Sequence, residues 1–257
     1  MQVTNGRVSN IFGGGSAEVI EAVFRVYFPE RPLTVLDMTV GKGVFWKWER
    51  QGIDLTTWDK DERCHPDRVV DWTTPEVMAE TMPYDVVVFD PPFAAIGPSK
   101  VFSGIAERSG ARRGEGLRSI HDVWWLYYAG VSLAVGMARQ GVIVKTMNVV
   151  ESGKYWDTGG YVGQLLHGLG VTVVGHAYQT HRPKPQRLPQ RSLDSAVSVY
   201  YIGRTTAGRR GRAVAKAAVD AGFDSPPAPP ERGQDDAIPQ EAHRGRGVSD
   251  DGGPALG

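Results

Sequence analysis

Short apolar runs alternate with longer amphipathic stretches through the first 204 residues of the chain. One such run is Val86-Val87-Val88-Phe89, which is flanked by Asp85 and Asp90 and is typical of a parallel strand buried on both faces. The pattern predicts strands at 33–37, 54–58, 68–71, 85–89, 141–147, 171–178 and 196–203. It predicts helices near 16–28, 43–51, 74–81, 121–139 and 158–168. This alternation favours an α/β fold built on a mostly parallel sheet.

The end of the chain departs from this pattern in two ways. The predicted strands Val171–Tyr178 and Val197–Gly203 have only a loop between them, so we expect them to pair antiparallel. From residue 205 the composition changes to Gly, Pro, Ala and balanced charges, which cannot bury enough apolar surface to fold. The sequence therefore predicts one folded domain over residues 1–204 and a disordered tail over residues 205–257.

The tetrapeptide Asp90-Pro91-Pro92-Phe93 stands directly after the predicted strand 85–89. An exocyclic amino group on a nucleobase is a poor nucleophile, because its lone pair is delocalised into the ring. Two acceptors aimed at its N–H bonds would localise that lone pair, and the Asp90 carboxylate and the Pro91 carbonyl can supply them. The prolines hold φ near about −65° and remove backbone donors. Phe93 offers an aromatic face for a base extruded from its stack.

These four residues resemble the Asp/Asn/Ser-Pro-Pro-aromatic motif of S-adenosylmethionine-dependent amino-methyltransferases, which act on adenine N6, cytosine N4 or protein glutamine. The Asp form is most similar to the N6-adenine group. The resemblance covers residues 10–204. It implies a Rossmann-like seven-stranded methyltransferase sheet, with helices on both faces and one antiparallel strand. It also implies S-adenosylmethionine as cofactor, adenine N6 in DNA as substrate, and Asp90, Pro91, Pro92 and Phe93 as catalytic residues.

A second motif lies upstream, where Val35 to Phe45 form a predicted strand, a glycine turn and the start of a helix. It resembles the first cofactor motif of methyltransferases. A nicotinamide-binding Gly-x-Gly-x-x-Gly is not matched, because Trp46 stands three residues after Gly43. An acid at the end of the next strand, Asp59 or else Asp61, is expected to face the ribose hydroxyls. The resemblance implies that Asp71, at the end of the strand after it, faces the adenine amino group. The residues assigned to the cofactor are Asp37, Thr39, Gly41, Gly43, Asp59 and Asp71.

Nucleic-acid contacts must come from local patches, because the formal net charge is +0. The segment 94–119 is rich in arginine, and Thr180–Arg191 holds four cations and three prolines without an acid. Such loops suit phosphate contacts, although a solvated loop explains the second segment equally well. The residues assigned to nucleic acid are Arg112, Arg113, Lys145, Arg182, Lys184 and Arg187. DNA is favoured over RNA, and adenine N6 in RNA is the alternative.

Two other functions remain open. Lys145 ends the predicted strand 141–147 beside Asp90, which resembles the Lys-Asp-Lys-Glu arrangement of RNA ribose 2′-O-methyltransferases. However, no lysine precedes Lys42 and no glutamate follows Ser195 in the last strand, so Lys145 is better interpreted as contacting phosphate or a strand-end acid. The other alternative is a noncatalytic nucleic-acid-binding protein that retains the fold.

Composition excludes several other classes of protein. The single cysteine, Cys64, excludes an internal disulfide framework and a cysteine-rich zinc site, and no metal is expected. Cytosine C5 methylation is disfavoured, since it needs a nucleophilic cysteine after a proline. The longest uncharged stretch, Val123–Ala138, is shorter than the roughly twenty residues that span a bilayer. With no basic, apolar leader visible, we expect a cytoplasmic protein without a membrane partner. The sequence does not indicate an oligomeric state.

Overall fold

The computed structural model describes residues 2–4, 7–72, 83–93, 119–151, 154–180 and 197–205 of the 257-residue chain. By its contacts the chain divides into residues 1–227 and residues 228–257, and every described residue belongs to the first unit. The predicted helix at 74–81 lies outside the described residues. So does the predicted tail after Thr205, and the proposed domain boundary stays a prediction.

The described chain contains three α-helices, two short 3₁₀-helices and twelve strands. The helices are α1 (Ser16–Tyr27), α2 (Ile120–Met137) and α3 (Thr158–Gly168), and the 3₁₀-helices are Val44–Trp46 and Glu62–Cys64. The first six strands are β1 (Gln2–Thr4), β2 (Arg7–Ser9), β3 (Ile11–Phe12), β4 (Leu33–Asp37), β5 (Ile53–Asp59) and β6 (Arg68–Val69). The other six are β7 (Tyr84–Phe89), β8 (Ala138–Met147), β9 (Val149–Glu151), β10 (Lys154–Trp156), β11 (Val171–Thr180) and β12 (Val197–Thr205).

Eight of these strands form one sheet in the order β3-β11-β12-β8-β7-β4-β5-β6. Strand β12 runs antiparallel to both neighbours, and the other pairs in this sheet are parallel. The predicted Rossmann-like arrangement with one reversed strand is confirmed. The count of seven was one short, because the two-residue β3 adds to the edge beside Tyr178 and Gln179. So short a strand carries no alternating pattern that a sequence could reveal.

The core lies on both faces of this sheet. In β7, the fully buried Val86 and Val88 pack with the apolar face of α1, whereas Val87 and Phe89 pack with α2 and α3. Successive side chains of a strand point to opposite faces, so a continuous apolar run marks a strand covered on both sides. The predicted helices on both faces are therefore confirmed.

The predicted helix at 43–51 is wrong. Only Val44–Trp46 form a 3₁₀ turn, entered through Gly43 in the left-handed conformation with φ 64°. Both Phe45 and Trp46 are buried, and the Trp46 ring centroid lies 5.9 Å from that of Phe24 in α1. A single 3₁₀ turn is enough to bury the rings of Phe45 and Trp46. Their tertiary packing therefore determines the local structure, and the helix that the pattern predicts does not form.

Within the described ranges, no helix is long and apolar enough to cross a membrane. The same residues contain no group of three or more His, Cys, Asp or Glu side chains placed to hold a metal ion.

Candidate active site

The candidate site lies at the carboxyl ends of the parallel strands. From β4 the chain moves outward to β5 and β6, then returns to β7 on the other side of β4 and continues to β8. The strand order therefore reverses between β4 and β7. In open α/β sheets, ligands bind beyond the strand ends at such a switch point. The glycine turn after β4 and the Asp90 motif after β7 flank this crevice.

Asp37, the last residue of β4, fixes the shape of the glycine turn. Its carboxylate is 1% exposed. One oxygen accepts from the Thr39 backbone N–H at 2.9 Å, and the other accepts from the Trp46 indole N–H at 2.7 Å. Burial raises the pKa of Asp37 to about 7, although both hydrogen bonds oppose the rise. Nearby Asp90 and Asp59 raise it further by charge repulsion.

This buried carboxylate makes stability depend on pH. Its native-state pKa of about 7 exceeds the ordinary value of 3.8, so the native state retains a proton that the unfolded chain has lost. The contribution of Asp37 to stability is thus present in full below about pH 4 and is lost as the pH rises to about 7.

Trp46→Phe is expected to destabilise the protein more at high pH than at low pH. At about pH 8 the substitution removes a hydrogen bond to the ionised Asp37 carboxylate, which is worth roughly 2 kcal/mol. At about pH 5 it removes a hydrogen bond to the protonated Asp37 carboxyl, which is worth roughly 1 kcal/mol. The packing loss is the same at both. Denaturant unfolding at the two pH values measures the difference. Trp48→Phe is the matched control, because its indole N–H donates to the Phe45 carbonyl at 2.9 Å, which does not titrate. Equal pH dependence in the two variants would contradict the assigned role.

The glycine turn itself leaves room for a ligand. Gly41 and Gly43 have positive φ angles of 51° and 64°, a region that other residues rarely adopt. A Cβ on Gly43 would meet nothing within 4 Å, and one on Gly41 would meet only the Thr39 carbonyl oxygen, at 3.9 Å. Asp59, the last residue of β5, supports the turn by accepting the Gly41 N–H at 2.9 Å. The turn is therefore held by hydrogen bonds and leaves space beside its two half-buried glycines.

Asp59 ends β5 and Asp71 follows β6, the two strands on the side of β4 away from β7. Asp59 also accepts the Asp61 backbone N–H at 2.9 Å, and a carboxylate has further lone pairs for ligand hydroxyls. The predicted strand 68–71 is shorter in the structure, where β6 ends at Val69. Asp71 therefore lies just beyond the strand end and is exposed.

The Asp90 motif is attached to the glycine turn. The Asp90 backbone N–H donates to the Thr39 hydroxyl at 2.8 Å, so Thr39 connects the loops that follow β4 and β7. Pro91 is buried, and Pro92 and Phe93 are half-buried. This hydrogen bond holds the Asp90 backbone in place and so positions its carboxylate.

Lys145 of β8 contacts the Asp90 carboxylate. Its Nζ donates to Asp90 Oδ2 at 3.1 Å, and the two side chains are 11% and 22% exposed. The same Nζ lies 5.2 Å from the ring centroid of Phe45 and 5.7 Å from that of Tyr200. Within the described part of the chain, Asp90 Oδ1 has no hydrogen-bond partner. Of the two partners predicted for Lys145, phosphate or a strand-end acid, the structure shows the acid.

Two site residues were missed at the sequence level, Trp46 and Tyr200. Tyr200 pairs with Lys145 across β12 and β8, and its hydroxyl donates to Gln179 Oε1 at 2.7 Å. Gln179 Nε2 in turn donates to the Gly14 carbonyl at 2.9 Å, which joins the N-terminal loop to the site. The alternation of buried positions in β12 would have shown that Tyr200 faces the core, but not which lysine it meets.

The structure brings one set of predicted residues together along this edge of the sheet. That set is Asp37, Thr39, Gly41, Gly43, Asp59, Asp90 and Lys145. The remaining cations assigned to nucleic acid lie outside the described residues and stay predictions. They are Arg112, Arg113, Arg182, Lys184 and Arg187.

No family model matches the chain, and no curated protein matches it. Solved structures do match. A Thermoplasma acidophilum protein is 13% identical with a TM-score of 0.43, over 74% of this chain and 88% of that one. A proposed RNA methyltransferase from Pyrococcus horikoshii is 11% identical with a TM-score of 0.43, over 74% and 83%. Magnesium protoporphyrin IX methyltransferase from Synechocystis with bound S-adenosylhomocysteine is 10% identical with a TM-score of 0.43, over 74% and 81%.

These likenesses are too distant to carry an argument about activity. The fold assignment rests instead on the strand order, with its single reversed strand and its switch point between β4 and β7.

Proposed function

We propose that this protein is an S-adenosylmethionine-dependent methyltransferase that acts on an exocyclic amino group of a nucleic-acid base, adenine N6 in DNA. One observation carries the proposal. The Asp90 carboxylate stands at the switch point of the sheet, one oxygen held by Lys145 and the other without a partner in the described residues, while its backbone is tied to the glycine turn.

The residues after β4 and β5 fit the cofactor. The open space at Gly41 and Gly43 admits a ligand close to the backbone, and Asp59 at the end of β5 suits ribose hydroxyls. Asp71, beyond the next strand, is the candidate partner for the adenine amino group. S-adenosylmethionine, when bound, would supply an electrophilic methyl group.

The protein's own contribution is to prepare the amine. Asp90 Oδ1 and the Pro91 carbonyl accept hydrogen bonds from the two N–H groups of the substrate amine, which concentrates its lone pair on nitrogen. Lys145 orients the carboxylate by donating to Oδ2 at 3.1 Å. The proton that the amine loses is taken up at Asp90 Oδ1. Phe93 supplies a surface against which an extruded base stacks.

A second candidate function is RNA ribose 2′-O-methylation, which the 3.1 Å contact between Lys145 and Asp90 favours. In that reaction Lys145 would remove the hydroxyl proton. The strand paired with β8 argues against it, because the residues of β12, Val197–Thr205, include no glutamate to complete the Lys-Asp-Lys-Glu arrangement. The reaction also gives no role to Pro91 and Pro92.

Methyl transfer from labelled S-adenosylmethionine to unmethylated DNA, total RNA and protein tests the proposal. Digestion and mass spectrometry of nucleosides identify the product, and N6-methyladenine in DNA is expected. Lys145→Met should slow that product about 10-fold, because Asp90 becomes less well oriented. A 2′-O-methyl product that disappears in Lys145→Met would establish the ribose reaction instead. Cofactor binding without transfer to any of the three would favour a noncatalytic nucleic-acid-binding protein.

A further inference from the structure

A small aromatic hairpin lies beside the candidate active site. Strands β9 and β10 pair with each other and stand apart from the main sheet. The hairpin directly follows β8, the strand that carries Lys145. Helix α2 ends where β8 begins, so its first turn lies at the edge where β8 ends. The hairpin and the first turns of α2 and α3 therefore share the edge of the sheet that holds Asp90.

Four rings from these three elements form one cluster. The rings of Trp124 and Tyr161 stack with centroids 4.6 Å apart and planes 5° apart. Trp156 of β10 meets Trp124 edge-on at 5.5 Å, and His121 meets Trp156 edge-on at 5.3 Å. Edge-on and stacked contacts of this kind fix ring orientation. The cluster is thus a fixed surface.

The base of the hairpin is braced by hydrogen bonds. Asn148 Nδ2 donates to the Tyr155 hydroxyl at 2.6 Å, and Asn148 Oδ1 accepts the Gly159 backbone N–H at 2.7 Å. The Tyr201 hydroxyl donates to the Gly159 carbonyl at 2.7 Å, which anchors the start of α3 to β12. A surface held in this way loses little conformational entropy when a ligand binds.

The exposed side of the cluster carries a cation. Lys154 is exposed, and its Nζ lies 4.3 Å from the ring centroid of Trp156. His121 is exposed as well, whereas Trp156 is half-buried. An aromatic face next to a solvated cation is the arrangement with which proteins bind unpaired nucleotides, because the base stacks on the ring while the cation meets the phosphate.

We propose that Lys154, Trp156 and His121 bind an unpaired stretch of nucleic acid next to the base presented to Asp90. This inference rests on the proposed function for the choice of nucleic acid as ligand. An amino group inside a duplex is out of reach, so a target base must leave its stack. A surface beside the reaction centre that holds the neighbouring unpaired nucleotides would lower the cost of keeping it extruded.

Binding of a short fluorescein-labelled single-stranded DNA to the full chain, measured by anisotropy without cofactor, tests this surface. Trp156→Ala should weaken binding about 10-fold, as expected for loss of one stacked base, and Trp156→Phe should keep most of the affinity. Lys154→Ala should reduce the slope of log K against log salt by about 0.7. Arg25→Ala is the matched control, because it removes an exposed cation paired with Glu21 on α1. It should leave affinity and slope unchanged.

The outcomes separate this surface from the proposed function. If Trp156→Ala does not fold, His121→Ala and Lys154→Ala carry the test, because both side chains are exposed. If the folded variants bind the DNA with wild-type affinity and salt slope, the proposal that this surface binds nucleic acid is wrong, even where the wild-type protein methylates DNA. Weakened DNA binding in those variants would support it, even where no nucleic acid is methylated and the proposed function fails.

Discussion

Asp90→Asn is expected to lower the rate of methyl transfer by about a thousandfold, as removal of a preorganised group at a reaction centre does. Asparagine keeps the size of the side chain but loses the negative charge and one acceptor oxygen. It cannot both hold the Lys145 ammonium and accept a substrate N–H as the carboxylate does. The measurement is the single-turnover rate of N6-methyladenine formation.

Cofactor affinity should stay within about twofold in this variant, since the contact between position 90 and the turn is made by backbone. Calorimetry with S-adenosylhomocysteine checks that expectation. Asp54→Asn is the matched control, because Asp54 is exposed near the start of β5, at the opposite edge of the sheet. An Asp90→Asn protein with the activity of the control would remove the proposed mechanism.

Gly130→Ala should destabilise the native state by about 3 kcal/mol, at the upper end for overpacking a core. Gly130 lies in the middle of α2, and a Cβ there would stand 2.0 Å from Phe89 Cζ. The Phe89 ring has little room to move, because the rings of Trp72 and Tyr127 lie edge-on to it at 5.1 Å and 6.2 Å. The melting temperature should fall by about 5–10 °C, as measured by circular dichroism.

Gly168→Ala makes the same chemical change in α3, where a Cβ would meet nothing within 4 Å. Because alanine favours helix over glycine, this control should be neutral or stabilising by up to about 1 kcal/mol. Phe89 immediately precedes Asp90, so any folded Gly130→Ala protein should also lose activity through displacement of the carboxylate. A Gly130→Ala protein that melts with the control would show that α2 and β7 are less tightly packed than the structure indicates.

Elements with a clear local pattern were predictable. The run before Asp90 predicted a strand at 85–89, and β7 spans Tyr84–Phe89. The predicted helix 158–168 has the bounds of α3. The strand segment is a continuous apolar run and the helix segment has apolar residues at helical spacing, and polar or turn residues mark the ends of both. In the stretch 43–51 the local pattern is misleading, because its aromatic residues pack into the tertiary core and do not form one face of a helix.

The amino-acid sequence by itself indicated seven of the eight strands of the main sheet, the helices α1, α2 and α3, and the Asp90 motif at the end of a strand, because all of these depend on neighbouring residues. The tertiary structure decided which side chains meet. Trp46 reaches Asp37 across 9 positions, and Lys145 reaches Asp90 across 55. The first contact exists because the glycine turn brings Trp46 back to the end of β4. The second exists because the parallel strands β7 and β8, distant in the chain, end at the same edge of the sheet. Local sequence patterns do not encode that proximity.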